Sequence, residues 1–364
     1  MKTMTIDREH LRRGFTTGAC ATAAARAAAL ALIGQKRVTA VEISLLTGET
    51  VAFDVSECRY SRGEAVCRVI KDAGDDPDIT HHAVVEATLR WTDTPGIKLA
   101  GGEGVGTVTR PGLEVPVGES AINPGPRKMI TGELIPLLGT CEGGRGFSVT
   151  VAIIGGEALA KRTLNPRLGI VGGLSVLGTT GIVIPYSLDA YKASIPQSVS
   201  IAKACGCPKV VASTGRRTEK YAQAANDLGE ECFILVGDFM DEALRACGEK
   251  GVPEAEIWCM VGKASKLAAG EINTHFTKSD IDIGLLAGIA VEMGASEELQ
   301  TELGTTVMAN EFLSKLPIEM VPDFCRRLSL AAASRCADFT GGGLVKVVCV
   351  VCDYDGKILG RSDD

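Results

Sequence analysis

The longest apolar stretch of the chain lies near its start and predicts a buried helix. From Leu11 to Gly34 the sequence reads LRRGFTTGACATAAARAAALALIG, and after the two threonines Arg26 is the only charged residue. Alanine is the strongest helix former, Thr16 or Thr17 is a natural N-cap, and Gly34 stands at the C′ position, where helices commonly end. A helix that is small and apolar on nearly every side is typical of a protein core.

Alternating apolar and polar positions then predict short strands in the first half of the chain. The strand candidates are Val41–Leu46, Thr50–Val55, Val66–Lys71 and Phe147–Ile154. A turn at Gly48 joins the first two as a hairpin. The proline-rich segment 120–130 leads into a short helix. The glycine-rich segment 97–117 predicts a β-like loop, and the segment 161–183 predicts loops and short strands. We expect residues 1–185 to form an α+β domain with mixed or antiparallel strands around the buried alanine-rich helix.

From about Ser187 the pattern changes to strands and helices in alternation. The strand candidates are Lys209–Ala212, Cys232–Val236, Ile257–Val261 and Val345–Asp353. Helices are predicted near Asp189–Ala204, from Arg216 onwards and through 280–337. Alternation at this spacing indicates βαβ units. We expect residues 186–364 to form an α/β, Rossmann-like domain with a mostly parallel sheet, and the last strand can pair into either sheet.

Composition and charge exclude several function classes. The chain has 364 residues, 45% hydrophobic and 23% charged, which is typical of a globular protein of about two domains. A net charge of −7 argues against general nucleic-acid binding, because neutralising phosphates requires a basic face. Since no signal peptide or membrane-spanning pattern is evident, we expect a cytoplasmic protein without a membrane partner.

The 13 cysteines are an odd number in a large chain, which favours reduced thiols over a disulfide framework. Cys205 and Cys207 have no histidine or second cysteine pair nearby at zinc-ligand spacing. Cys349 and Cys352 lie in a run that predicts a buried strand, where residues three apart face opposite sides. We expect structural cysteines at both pairs and no metal site in the protein.

Two polar segments of the first half have chemistry that suits a ligand, and each has a structural alternative. The start of the alanine-rich helix exposes N–H groups beside Thr16 and Thr17, with Arg12 and Arg13 just upstream, and this combination can hold an anion; the alternative is a well-capped core helix. The stretch KDAGDDPDITHH, residues 71–82, gathers four aspartates and two histidines in a loop fixed by Gly74 and Pro77. Its spacing is not that of an EF-hand calcium loop. Its carboxylates either cap backbone N–H groups or line a cleft.

Each predicted strand between residues 209 and 261 is followed by a polar turn. The turns are Ser213–Arg217, Gly237–Phe239 and Gly262–Lys266. Open α/β sheets bind ligands outside the carboxyl ends of their strands, so three such turns together indicate a ligand cleft. The glycines at 101–106 are followed by β-like residues instead of a helix, so they fail as a Rossmann fingerprint.

The ordered motifs of the chain resemble the CbiD family of cobalt-precorrin-5B C-1 methyltransferases. Seven blocks in one order carry this resemblance: RRGFTTGACATAAARAA, KDAGDDPDITH, GVGTVTRPGL, AINPGPRKMI, AKRTLNPRLGIVGGLSVLGTTGIV, GKASKLAAG and the THF that follows. One position departs from the family pattern, since Asp238 stands in Gly-Asp-Phe where members tend to carry Gly-Asn-Phe. If the asparagine amide donates to a ligand, that contact is changed here.

The resemblance implies transfer of a methyl group from S-adenosylmethionine to C-1 of a cobalt-bound tetrapyrrole. The product is cobalt-precorrin-6A, an intermediate of anaerobic cobalamin (vitamin B12) biosynthesis. Cobalt then arrives with the substrate, and S-adenosylmethionine is a co-substrate. Because the electron-rich ring carbon attacks the sulfonium methyl directly, the protein mainly aligns the two reactants.

Residue roles follow from that activity as hypotheses. The candidates for moving a proton, all in the acidic loop, are Asp75, Asp76, Asp78 and His81. The candidates for binding the substrate are the helix start and the cations that suit its carboxylates: Thr16, Thr17, Gly18, Arg127, Lys128, Arg162, Arg167 and Arg217. The candidates for binding S-adenosylmethionine, all in the polar turns of the second half, are Thr214, Gly215, Gly237, Asp238 and Lys263.

Two other functions stay open on the sequence. A different small-molecule transferase would use the same α/β cleft, although the P-loop lysine motif is absent from all three turns. A non-catalytic tetrapyrrole carrier would need neither a nucleophile nor a base. Homo-oligomerisation and transient contact with neighbouring enzymes of the pathway are both compatible with the sequence.

Overall fold

A computed structural model describes residues 10–139, 144–275, 280–342 and 345–364 of the chain. Contacts between Cα atoms divide the chain into two compact units, Met1–Leu188 and Asp189–Asp364. The sequence-based division falls after residue 185. Each unit has its own five-stranded sheet and its own hydrophobic core.

The strands of the first unit are short and mostly antiparallel. They are β1 (Gly14–Phe15), β2 (Ala40–Ser44), β3 (Thr50–Asp54), β4 (Glu57–Tyr60), β5 (Glu64–Ile70), β6 (Val84–Thr92), β7 (Gly96–Gly101), β8 (Thr107–Val108), β9 (Gly146–Ile153), β10 (Ile170–Val171) and β11 (Ile182–Val183). The helices are α1 (Thr17–Gly34), α2 (Pro124–Leu138) and α3 (Gly156–Ala160). β2 and β3 form the predicted hairpin.

A five-stranded sheet in the order β4-β5-β6-β9-β7 forms the centre of this unit. Its neighbouring strands are antiparallel except for β7 and β9, which run parallel. Alternate side chains of β5, β6 and β9 enter the core, among them Cys67, Leu89 and Val149. The core therefore lies between this sheet and the helices α1 and α2 that pack on it.

α1 is the buried alanine helix that the sequence predicts. The Oγ1 atom of Thr16 caps it by accepting from the N–H of Ala19 at 3.2 Å, and every alanine of the helix is fully buried. By length and composition α1 could cross a membrane, but 78% of that stretch is buried inside the protein. The predicted C′ position is wrong by one residue: Gln35, with a φ of 46°, takes the left-handed conformation after Gly34, and its amide donates to the carbonyl of Leu32 at 2.7 Å.

The glycine-rich segments of the first unit pack backbone against backbone. Gly104 has a φ of 70°, and a Cβ at this position would overlap the carbonyl oxygen of Ile153. Side chains at Gly156 and Gly173 would in turn overlap the backbone of Gly104. Only glycine permits such close approach, so these residues have a packing role.

The second unit alternates strands and helices before a run of helices. Its strands are β12 (Val210–Ser213), β13 (Phe233–Leu235), β14 (Glu254–Met260), β15 (Lys346–Cys352) and β16 (Ile358–Arg361). Its helices are α4 (Asp189–Ala204), α5 (Arg216–Ala225), α6 (Met240–Glu249), α7 (Val261–Ala268), α8 (Ile283–Glu292), α9 (Glu297–Leu303), α10 (Ala309–Lys315) and α11 (Val321–Ala337).

The sheet of the second unit has the order β13-β12-β14-β15-β16, with the first four strands parallel and β16 antiparallel. β12 comes first along the chain and has β13 on one side and β14 on the other, so the strand order reverses at β12. Open α/β sheets bind ligands at such a switch point, outside the carboxyl ends of the strands. Here the ends of β12 and β14 flank the switch point.

The mixed α/β class with a mostly parallel sheet is confirmed, and several details differ from prediction. β4, β6, β7 and β16 have no counterpart among the predicted strands, and α2 extends over 15 residues where a short helix was expected. The turn predicted at Gly262–Lys266 is wrong, because β14 leads directly into α7. β15 pairs with β14 and therefore belongs to the sheet of its own unit. Cys349 and Cys352 face opposite cores, as predicted.

Candidate functional site

Several sequence blocks meet at the start of α1 in the first unit. β1 precedes α1 and pairs antiparallel with β11. The N–H of Thr16 donates to the carbonyl of Gly181, and the N–H of Gly18 donates to that of Leu177, both at 3.0 Å. The segment before β11 therefore covers the first turn of α1.

The predicted substrate residues Thr16, Thr17 and Gly18 are buried at this helix start. The Oγ1 atom of Thr17 accepts from the N–H of Leu177 at 3.0 Å, and that of Thr16 caps the helix. The expectation of exposed N–H groups is wrong here, because those of Gly18 and Ala19 have acceptors inside the protein. A role of the three residues in substrate binding stays a prediction.

Ion pairs hold the predicted acidic loop in place. Lys71 is 1% exposed, and its Nζ lies 2.7 Å from Oδ2 of Asp78. Burial opposes the ionisation of Asp78, but the ammonium of Lys71 and hydrogen bonds from Thr80 outweigh it and lower the pKa of Asp78. The guanidinium of Arg12 lowers the pKa of Asp72 to about 2 by hydrogen bonding. Asp78 is thus engaged in a structural ion pair, and its carboxylate is less available for the predicted proton transfer.

Asp75 and Asp76 connect the acidic loop to other segments through backbone N–H groups. Oδ2 of Asp75 accepts from the N–H of Arg12 at 2.6 Å, and Oδ2 of Asp76 accepts from the N–H of Tyr186 at 2.8 Å. In each carboxylate, the hydrogen bonds from described residues reach Oδ2 only. Oδ1 of both residues is therefore available as an acceptor, which agrees with the chemistry of their predicted role.

One ring nitrogen of His81 is held by the backbone. Nδ1 accepts from the N–H of Ala73 at 3.0 Å, so in the neutral imidazole Nε2 carries the proton. The ring centroid lies 3.7 Å from that of His82, whose φ of 64° is uncommon for a residue other than glycine. Such strain is concentrated at functional sites. This geometry suits His81 for donating a hydrogen bond from Nε2 rather than for accepting a proton there.

The predicted substrate-binding cations of the first unit differ in their availability. Arg127 donates to a backbone carbonyl at 2.7 Å and to Glu119 at 3.0 Å, which engages its guanidinium within the protein. Arg167 also interacts within the protein. Lys128 and Arg162 are exposed and form no ion pair with any residue that the structure describes. These two are the cations best placed to meet a ligand.

The predicted cofactor residues of the second unit lie at the carboxyl edge of its sheet. Thr214 and Gly215 directly follow β12, while Gly237 and Asp238 follow β13. Lys263 lies in the first turn of α7, which begins where β14 ends. Because β12 lies between β13 and β14 and all three are parallel, their carboxyl ends meet at one edge.

Asp238, Lys263 and Thr274 form a polar cluster at this edge. Nζ of Lys263 is paired with Oδ1 of Asp238 and donates to Oγ1 of Thr274 at 2.9 Å. The hydroxyl of Thr274 donates to Oδ1 of Asp238 at 3.1 Å. Partial burial opposes the ionisation of Asp238, but Lys263 and Thr274 outweigh it and lower the pKa of this carboxyl. Hydrogen bonds from described residues reach only Oδ1, so the charged group keeps Oδ2 for a ligand.

The other residues of the edge shape its turns. The N–H of Thr214 donates to a carbonyl of β14 at 3.2 Å and ties the end of β12 to that strand. Gly237 has a φ of 60°, in the left-handed region that favours glycine. Arg217, a predicted substrate cation, lies over the ring of Tyr354 at 5.6 Å. Arg217 thus lies at the proposed cofactor edge and outside the unit that carries the other predicted substrate residues.

Sequence reasoning missed Thr274 as a residue and the pairing of Arg12 with Asp72. Thr274 belongs to the THF block, which was the available signal, and Phe276 of that block lies outside the described residues. Arg12 pairs with Asp72, sixty positions along the chain, and nothing local indicates that contact. Within the described ranges, no group of three or more His, Cys, Asp or Glu side chains is arranged to hold a metal ion.

Two family models match the chain. The model described as CbiD matches residues 4–185, which is 182 of 364 residues, and the model described as CbiD, C-terminal domain, matches residues 273–363. The two matches fall in different halves of the sequence.

Named relatives match over nearly the whole length. A cobalt-precorrin-5B C(1)-methyltransferase from Geobacillus kaustophilus (strain HTA426) is 43% identical over 97% of this chain and 95% of its own length. A cobalt-precorrin-5B C(1)-methyltransferase from Priestia megaterium is 47% identical over 83% of each chain. A crystal structure of the cobalamin biosynthesis protein cbiD from Archaeoglobus fulgidus is 30% identical, with a TM-score of 0.40, and covers 72% of this chain and 82% of that chain.

Proposed function

The chain belongs to the CbiD family, and from this membership we propose that it transfers a methyl group to C-1 of cobalt-precorrin-5B. The observation that carries the proposal is near full-length similarity to proteins named for that activity. The product is then cobalt-precorrin-6A, in the anaerobic route to cobalamin. The cobalt ion belongs to the substrate.

We also propose S-adenosylmethionine as the methyl donor, bound at the carboxyl edge of the second unit's sheet. The switch point between β12 and β14 supports this place, because open α/β sheets bind ligands there. The ionised Asp238 keeps Oδ2 available for the hydroxyls of a ribose. Two buried polar atoms without a partner among the described residues, Oγ of Ser213 and Oδ1 of Asp241, adjoin the same edge and fit a polar ligand.

The tetrapyrrole is assigned to the first unit, around the start of α1. Exposed cations of the first unit that have no ion pair in the described part of the chain support the assignment to this unit, since the ring bears several carboxylates. They are Arg13, Lys128 and Arg162. Exposed apolar side chains on the segment around β11 suit the faces of the ring; they are Leu177, Ile184 and Tyr186. Thr16, Thr17 and Gly18 then act by holding that segment.

The mechanism that fits these residues is a direct displacement. S-adenosylmethionine supplies a methyl group on a sulfonium, so the sulfur–carbon bond breaks as the new carbon–carbon bond forms and the sulfur keeps the electron pair. The protein aligns the two reactants, which is worth several powers of ten in rate. Asp75 and Asp76 each offer one carboxylate oxygen for a proton that leaves the ring, and His81 donates from Nε2 to an oxygen of the substrate.

Anaerobic incubation with cobalt-precorrin-5B and methyl-labelled S-adenosylmethionine tests the function directly. Mass analysis of the pigment should show one labelled methyl group, at C-1. An unchanged pigment with both ligands shown to bind would contradict the transfer on this substrate. A protein that binds the tetrapyrrole but not S-adenosylmethionine would instead be a carrier.

Cellular location and assembly stay predictions. The burial of α1 argues against its crossing a membrane, because the helix is part of a core. Size measurement by light scattering tests for a homo-oligomer, and the same measurement with a neighbouring pathway enzyme tests for transient contact.

A further inference from the structure

The first turn of α5 presents N–H groups without acceptors at the carboxyl end of β12. Gly215 occupies the N-cap position and has no side chain to cap the helix. Oγ1 of Thr218 accepts from the N–H of Gly215 at 3.1 Å, but the N–H groups of Arg216 and Arg217 have no acceptor among the described residues. Such groups, together with the helix dipole, favour an anion.

A buried hydroxyl without a partner lies beside this turn. Ser213 is the last residue of β12 and is 0% exposed, and its Oγ has no hydrogen-bond partner among the described residues. Side chains alternate along a strand, so Ser213 faces the same side as Val211, whose core includes Ala222 of α5. The hydroxyl therefore faces the side of the sheet that α5 covers, at the end where α5 begins. A buried donor left unpaired is unfavourable, and an anion at the helix start would accept from it.

The glycine at the N-cap is not required by the backbone. Gly215 has a φ of −169°, an extended conformation that any residue adopts. A Cβ built on it would have Oγ1 of Thr218 as its nearest neighbour, at 4.0 Å. Serine or aspartate would fit this position and cap the helix. Glycine leaves the N–H groups open to a ligand, and the side chains of Arg216 and Arg217 add exposed positive charge.

We propose that this turn is an anion subsite, formed by the N–H groups of Arg216 and Arg217 and by the hydroxyl of Ser213, and that it holds the α-carboxylate of the methyl donor. The subsite rests on the proposed function, because it takes S-adenosylmethionine as the ligand of this edge. It adds to that assignment which group of the ligand is recognised and by which residues. A carboxylate of the tetrapyrrole is the other source of the same chemistry, and the experiment separates the two.

Binding measurements on the full chain, without tetrapyrrole, test the subsite. The probes are S-adenosylhomocysteine and its decarboxylated analogue, which differ only by the carboxylate. We expect the wild type to bind S-adenosylhomocysteine at least tenfold more tightly. Ser213→Ala should lower the affinity for S-adenosylhomocysteine about tenfold. It should change the affinity for the decarboxylated analogue by less than about twofold.

Substitution of the N-cap provides a matched pair of variants. In Gly215→Asp the new carboxylate caps the helix and repels the ligand's carboxylate, so the preference for S-adenosylhomocysteine should disappear while the melting temperature stays the same or rises. Gly215→Ala adds a Cβ for which there is room but brings no capping group, so it leaves the N–H groups open and should keep most of the preference.

The outcomes separate the subsite from the donor site. Equal binding of the two probes by the wild type would overturn the subsite and leave the donor site intact. A preference that survives Gly215→Asp would also overturn it, and weaker tetrapyrrole binding in that variant would then assign the anion to the substrate. Binding of neither probe would overturn the donor assignment itself, and the subsite with it.

Discussion

The backbone N–H of Ala73 donates to Nδ1 of His81 across 3.0 Å, and this contact leaves Nε2 as the donor of the neutral ring. We therefore expect His81 to act through donation. His81→Asn keeps an acceptor for Ala73 but loses the donor, whereas His81→Gln places an amide N–H near the position of Nε2. We expect kcat/KM for labelled methyl transfer to fall about 100-fold in the first variant and less than about tenfold in the second.

The pH profile distinguishes this role from general base catalysis. With His81 as a donor, His81→Gln keeps the shape of the wild-type profile. An inactive His81→Gln variant, combined with a wild-type profile that rises through the titration of one histidine, would contradict donation. His82→Gln is the matched control, because it changes the neighbouring ring and leaves the Ala73 contact in place.

Removing the partner of Lys71 should destabilise the first unit strongly. Asp78→Asn leaves an ammonium that is 1% exposed without a counter-charge, and we expect the free energy of unfolding to fall by about 3–5 kcal/mol. Replacing both residues, with Lys71→Met added, should restore much of the loss. Urea unfolding measures each value. Asp54→Asn, at an exposed position, is the control, and its free energy of unfolding should stay within about 0.5 kcal/mol of the wild-type value.

The Arg12–Asp72 pair should make stability depend on pH in the acid range. Because the hydrogen bond from Arg12 lowers the pKa of Asp72 to about 2 in the folded protein, its contribution is complete above the ordinary aspartate value of about 3.9. The contribution is lost as the pH falls from about 4 towards 2. Unfolding curves of the wild type and Asp72→Asn should therefore differ at pH of about 6 and converge near pH 2. A difference that is constant across this range would contradict the pair's contribution.

Asp238 should be required for binding an adenosyl ligand. Asp238→Ala removes the acceptor Oδ2 and the partner of Lys263, and we expect the affinity for S-adenosylhomocysteine to fall about tenfold or more. Asp238→Asn keeps one acceptor oxygen and should have an intermediate effect. Calorimetric titration measures both, with the exposed Glu249→Ala as a control. Unchanged affinity in Asp238→Ala would remove this residue from the donor site.

Close packing at Gly104 should make it far less tolerant of substitution than another glycine with a positive φ. Gly104→Ala would overlap the carbonyl of Ile153 and should destabilise the protein by more than about 4 kcal/mol. Gly118 has a φ of 88°, but no atom lies within 4 Å of the position that its Cβ would take. Gly118→Ala should therefore lose only the roughly 1–2 kcal/mol of left-handed strain. Similar losses of stability in the two variants, measured by thermal unfolding, would contradict the packing role.

Local patterns were sufficient to predict the individual elements where a few neighbouring residues decide the outcome. α1 begins at its threonine cap and continues through the alanines, and α4 has the predicted bounds Asp189–Ala204. The strands β12 to β15 were predicted because apolar runs and helices alternate. β6 was missed although its residues alternate in burial. The parallel pairing of β7 with β9 is a different case, because it depends on a partner distant in sequence.

The residues of the candidate sites could be selected by chemical type, but their partners could not. The sequence singles out the acidic loop, yet only the fold brings Arg12 to Asp72 and Tyr186 to Asp76. The same holds for Thr274, which completes the Asp238–Lys263 pair. Such contacts depend on where distant segments cross, which no local spacing encodes.

The two helix starts show most clearly what the sequence by itself determined and what only the tertiary structure decided. By sequence alone, the start of α1 has hydroxyls and nearby arginines, which suit either an anion site or a well-capped core helix, and the start of α5 has similar residues. In the fold, the segment before β11 supplies the acceptor for the N–H of Gly18, whereas the N–H groups of Arg216 and Arg217 have none among the described residues. Sequence determines that a helix begins and which groups it presents. Whether those groups bind the protein or a ligand depends on which other segment the fold places against them.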